Sequence, residues 1–119
     1  MTVIANSEKM TTISKTTNVV TLINIFTVEP ENQQRLIDLW VDITEDVMCK
    51  LPGFIAANFH KSLDGKSAAN YAQWSSLESV ENMREMIKNN ERHQYLRDEV
   101  SKIAKMSPVL YEVCYTKNL

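Results

Sequence analysis

From residue 19 onward the chain alternates between β-branched runs and stretches whose apolar positions recur every three or four residues. "VVTLINIFTV" (19–28) predicts a strand buried on both faces. "EPENQQ" then opens a helix, because proline is tolerated in a first turn and acids suit the positive end. Leu36, Leu39, Trp40, Ile43 and Val47 make its apolar stripe, with Asp38, Asp42, Glu45 and Asp46 on the remaining surface. Pro52 and Gly53 in "LPGF" stop it. "FIAANFHKS" (54–62) and "KSAANYAQWSS" (66–76) read as two strands, and the Asp-Gly between them is a hairpin signal. Ser76 is a candidate helix cap ahead of Val80, Met83 and Ile87, but Ser79 three residues on predicts no true capping box. After a break at Asn89-Asn90, Leu96, Val100 and Ile103 mark a helical segment that Pro108 ends, leaving "VLYEVCYT" (109–116) as the last strand.

The order β-α-β-β-α(α)-β is ferredoxin-like. It predicts an α+β fold: a four-stranded antiparallel sheet with its helices on one face. The other face carries too many apolar residues for water, since Ile23 and Ile25 oppose Leu22 and Phe26 on the first strand. A second copy is the expected cover, which makes the protein a homodimer. Residues 1–18, rich in Thr, Ser, Asn and Lys, are expected to be a flexible N-terminal arm ahead of a single domain over 19–119.

Composition narrows the partners. A net charge of −2 from 13 basic and 15 acidic residues gives no footprint for nucleic acid. No apolar run approaches the roughly 20 residues that span a bilayer, and the N-terminus lacks the apolar centre of a signal peptide. Cys49 and Cys114 are far apart and suit a reducing cytoplasm, where the protein is expected to reside. With only two glycines there is no phosphate-binding loop, and no metal motif or Ser/His/Asp order is present.

"NYAQW" (70–74) is the unusual strand, because alternation sets Asn70, Ala72 and Trp74 on one side. The facing strand depends on the hairpin loop. A two-residue Asp64-Gly65 loop pairs 63 with 66 and sets odd positions beside even ones. A three-residue loop with Gly65 left-handed pairs 62 with 66 and brings Asn58 and His60 to the Asn70 face, with Ala56, Ala68 and Ala72 leaving space. The three-residue form is the expected one. The plainer reading makes Trp74 core, Asn70 a satisfied amide, His60 a solvated histidine and His93 an ordinary helix residue.

"PGF…N.H.S.DG…NYAQW", with the strand and helix before it, resembles the antibiotic biosynthesis monooxygenase domain family over roughly residues 19–115. The resemblance implies a dimeric α/β-barrel with a pocket between sheet and helices in each subunit. It also implies oxygenation of phenolic or hydroquinone-like substrates by O2, with no metal, flavin or haem. Carried over by position, Asn70 would hold the phenolate or peroxide oxygen, Trp74 would shape the pocket, and His60 would move the proton. Asn58 and Ala72 join them as pocket residues. Some members add a tyrosine and an arginine from the helical region; Tyr95, Arg92 and Arg97 are the nearby candidates, none matching cleanly. Two alternatives stand beside this reading. One is haem degradation with His93 as iron ligand, disfavoured by the lack of a basic cluster for the propionates. The other is a non-catalytic dimer that binds a small aromatic or quinone.

Overall fold

All three helices lie on one side of a four-stranded antiparallel sheet in the computed structural model, which describes residues 10–15 and 18–119. The strands are β1 (Val20–Val28), β2 (Phe54–Lys61), β3 (Ser67–Trp74) and β4 (Ala104–Tyr111), in the order β2-β3-β1-β4. The helices are α1 (Gln33–Asp46), α2 (Leu77–Ile87) and α3 (Glu91–Ser101), with single 3-10 turns at Pro30–Asn32 and Met48–Lys50. This is the ferredoxin-like arrangement that the pattern predicts.

Alternation along β1 sends Leu22, Asn24, Phe26 and Val28 toward the helices. Phe26 packs with Leu36, Leu39, Trp40 and Ile43 of α1 and with Leu96 and Val100 of α3, and its ring meets Trp40 edge-on at 4.8 Å. Trp74, Val80 and Met83 form a second cluster under α2. The opposite side of β1 is less covered than expected: Thr21 is buried, but Ile25 is 47% exposed.

The structure departs from the sequence pattern at two places. The helix expected to reach Pro108 ends at Ser101, and β4 starts at Ala104 with Pro108 inside it, opposite Asn24. An edge strand tolerates the missing N–H that would break a helix or a central strand. Residues 112–116 accordingly lie outside any strand. Ser76 and Ser79 do form a reciprocal box: Ser79 N–H donates to Ser76 Oγ (3.0 Å) and Ser76 N–H to Ser79 Oγ (3.1 Å). At this spacing a hydroxyl reaches as far as the usual carboxylate.

The hairpin register is also not the one expected. Lys61 faces Ala68, Phe59 faces Asn70 and Ala57 faces Ala72, and residues 63–66 form the loop. Asp64 builds this wider turn, its Oδ1 accepting from Ser62 Oγ (2.7 Å) and from the Lys66 N–H (2.9 Å). Those two bonds hold its carboxyl below the ordinary aspartate range. Gly65 supplies the left-handed residue at φ 81° and closes the turn on the Ser62 carbonyl. A one-residue slip exchanges the two faces of a strand. The observed register puts Phe59 inside, 5.4 Å from the Phe26 ring and stacked at 6.3 Å on Trp40, and leaves His60 outside. Burying a phenyl ring outweighs burying an imidazole.

Part of the segment before the domain lies on the outer face of the sheet. Thr11 Oγ1 donates to Asn58 Oδ1 (3.0 Å), and Gln73 Nε2 donates to the Thr12 carbonyl (2.8 Å). The rest of the expected arm, residues 1–9 and 16–17, lies outside the described residues. Among the described residues no helix is long and apolar enough to cross a membrane.

Candidate functional site

β3 turns Asn70, Ala72 and Trp74 toward the helices, as its alternation requires. β1 adds Leu22 and Asn24, α1 adds Trp40 and Thr44, and Met48 and Met83 close the roof. β2 contributes both Phe54 and Ala57, three positions apart, which a regular strand would send to opposite faces. A bulge at Ile55 supplies the extra residue: Phe54 pairs with Trp74 while Ala56 already pairs with Gln73. The Phe54 ring then stands edge-on to Trp74 at 5.5 Å and 88°. Gly53 makes this entry possible. It sits at φ 86°, and a Cβ there would lie 2.3 Å from Ser79 Cβ.

These residues enclose a cavity of about 40 Å³. It exists because Ala57 and Ala72 face each other across the sheet, so neither fills the space under the helices.

Asn24 and Asn70 are direct cross-strand partners on its floor, and both are buried. Asn24 is anchored: its Oδ1 accepts the Ser107 N–H (3.1 Å), and its Nδ2 lies 3.3 Å from Met106 Sδ. Asn70 is 8% exposed, and its Oδ1 is buried with no hydrogen-bond partner. Leaving such an acceptor unpaired costs about 1–3 kcal/mol, which singles out Asn70 among the residues that line the cavity. Asn70 also lines a second, more open hollow of about 170 Å³ with Trp40, Val41, Thr44, Glu45, Ala57 and Phe59. Among the described residues that line either space, Glu45 is the one ionisable side chain.

The other sequence candidates are dispersed. Ala72 and Trp74 line the cavity with Asn70. His60 and Asn58 do not, because the register turns them to the outer face. His60 is exposed there with Nδ1 3.1 Å from the Asn58 carbonyl oxygen, and Asn58 Nδ2 donates to the Tyr71 carbonyl (3.2 Å). Arg92 is engaged on the surface, where its Nε and Nη2 donate to Asp46 Oδ2 at 3.1 and 3.0 Å. Tyr95 is 57% exposed and lines a shallow surface hollow with His93 and Arg97. His93 itself is buried with Nε2 unpartnered, and burial, aided by the Arg97 charge, pushes its imidazole down to about 4. It does not line the cavity that holds Asn70 and Trp74, so the arrangement that the haem reading needs is not present. Asn24 was missed. The signal was one amide amid the β-branched run "VVTLINIFTV".

The antibiotic biosynthesis monooxygenase family model matches residues 19–86, a span that contains every residue lining the cavity. Tetracenomycin-F1 monooxygenase of Streptomyces glaucescens is 36% identical over 107 residues, covering 90% of this chain and 92% of the relative. The chain belongs to the antibiotic biosynthesis monooxygenase family. It is an enzyme of the monooxygenase type. Solved structures share the family fold at low identity. SnoaB, a cofactor-independent oxygenase from Streptomyces nogalater, superposes with a TM-score of 0.64 at 18% identity, over 83% of this chain and 96% of that one. A conserved protein from Methanosarcina mazei Go1 reaches 0.67 at 14% identity, over 82% and 95% of the two chains. The cavity amides of this chain lie on β1 and β3, and neither of its two histidines lines the cavity.

Proposed function

We propose that this monooxygenase oxygenates a phenolic or hydroquinone-like aromatic substrate with O2, using no metal, flavin or haem. The observation that carries the reading is Asn70, a buried amide that lines a largely apolar cavity and whose Oδ1 has no partner in the protein. An electron-rich phenolate can itself reduce O2. One oxygen atom enters the ring, the other leaves as water, and a phenol becomes a quinone. The protein then has to bind the hydroxyl, take its proton and keep bulk water away.

In this reading Asn70 Oδ1 accepts from a substrate hydroxyl, and the amide N–H groups of the same side chain donate to the oxyanion that develops. Trp40, Val41 and Phe59 flank the ring in the outer hollow, and Trp74 and Phe54 wall the inner space behind Asn70. The proton goes to Glu45, which lines the outer hollow together with Asn70; His60, on the far face, takes no part. The named activities of the two Streptomyces relatives support the class of reaction.

The protein is also proposed to act as a homodimer through the outer face of the sheet, where Ile25, Ile55, Val109 and Tyr111 are exposed. The functional test is oxygen uptake by chelator-treated protein with a panel of hydroquinones and polycyclic phenols. Turnover at or below the buffer rate across the whole panel would reject the reading.

A further inference from the structure

Asn70 borders two spaces of different size, and the difference decides what each can hold. The inner cavity, about 40 Å³, is bounded on its far side by Leu22, Ala72, Trp74 and Met83. The outer hollow, about 170 Å³, is bounded by Val41, Glu45 and Phe59 and opens at the edge strand β2. Trp40, Thr44, Ala57 and Asn70 line both. A closed apolar cavity of about 150 Å³ admits benzene, whereas a single water needs only about 10–15 Å³. By that measure the inner space is too small for an aromatic ring and large enough for a diatomic gas. The outer hollow is large enough for a ring.

We infer that Asn70 divides the site into two compartments, an inner apolar one that holds O2 and an outer one that holds the reacting aromatic ring. This rests on the reading of the protein as an O2-using enzyme. Its consequences follow from the lining. O2 is apolar, and most of the lining is too: Leu22, Ala72, Trp74 and Met83 wall the cavity, while its polar Asn24 and Thr44 already have partners within the protein, so O2 enters without breaking those hydrogen bonds. The amide stands between the compartments, so one side chain touches both the substrate oxygen and the space from which the oxidant arrives. Glu45 then faces the ring compartment alone, where a proton is to be removed.

The compartments are separated by two substitutions, one lining only the inner space and one only the outer. Ala72→Val fills the inner cavity; Val41→Trp narrows the outer hollow. Steady-state kinetics with O2 and the aromatic substrate varied independently should show KM for O2 raised several-fold in A72V, with KM for the aromatic within twofold. V41W should show the reverse. A72V raising KM for the aromatic while leaving KM for O2 unchanged overturns the assignment. Crystals of the wild-type protein under xenon pressure give a reading that requires no turnover and no variant. A xenon atom among Leu22, Ala72 and Trp74 supports the inner compartment, and an empty cavity overturns it. Should no hydroquinone be turned over, the functional reading fails, and the xenon result still stands on its own.

Discussion

Asn24 and Asn70 face each other across β1 and β3, and only one of them is satisfied within the protein. The anchored amide ties the floor of the cavity to β4 through Ser107, and the Oδ1 of the other has no partner in the protein. This difference separates their expected substitution effects.

Asn70→Ala should leave the protein folded and lower turnover about 10²–10³-fold, the usual loss for one oxyanion donor. Stability should change little, since the amide oxygen it removes is unpaired. Asn24→Ala should instead destabilise by about 0.5–1.5 kcal/mol, because it removes the acceptor of the Ser107 N–H on the exposed edge strand. Glu45→Gln, which keeps shape and removes the base, should lower turnover about 10²-fold or more without moving the melting temperature. Melting curves and oxygen consumption on the three variants distinguish these roles. An Asn70→Ala protein with full turnover removes Asn70 from the mechanism.

Ile25 and Val109 lie on the outer face, on the neighbouring strands β1 and β4. Their exposed apolar surface predicts a dimer of roughly twice the chain mass by light scattering at micromolar concentration. Ile25→Lys should weaken it by placing an unpaired charge at the contact. A wild-type protein that scatters as one chain contradicts the proposal.

His93 makes stability depend on pH. Its imidazole is lowered from 6.5 to about 4 by burial first and by Arg97 second. The unfolded chain therefore takes up a proton at a higher pH than the folded one. The stabilisation from keeping it neutral is full above about 6.5, is lost as the pH falls toward about 4, and stays lost below. It amounts to about 1–3 kcal/mol. Urea unfolding at pH 7.5 and 4.5 should show this loss in the wild type and a smaller one in His93→Gln. An equal pH dependence in both proteins assigns the effect elsewhere.

Residues 1–18 are expected to be dispensable for folding. Deleting them exposes the amides of Gln73 and Asn58, which water can then satisfy in place of Thr12 and Thr11. A loss of about 1 kcal/mol, or about 4–8 °C in melting temperature, is the expected outcome. A fall of about 20 °C would mean that the segment is part of the core.

Element order, the α1 stripe and the shared face of Asn70, Ala72 and Trp74 were legible from the sequence, because each follows from a period of 3.6 or 2.0 within one segment. What lay between segments was not. The place of His60 hung on one residue of hairpin register, which tertiary packing decided by drawing Phe59 onto Phe26 and Trp40. The Ile55 bulge, which lets Phe54 and Ala57 share the cavity wall, leaves no periodic trace. Pro108 could sit in a strand only because β4 became an edge, a property of the whole sheet. Asn24 acquired its partner and its position opposite Asn70 the same way, through strands far apart in the chain. Local periodicity fixes which face a side chain takes along its own strand or helix; only the packed sheet fixes what that face meets.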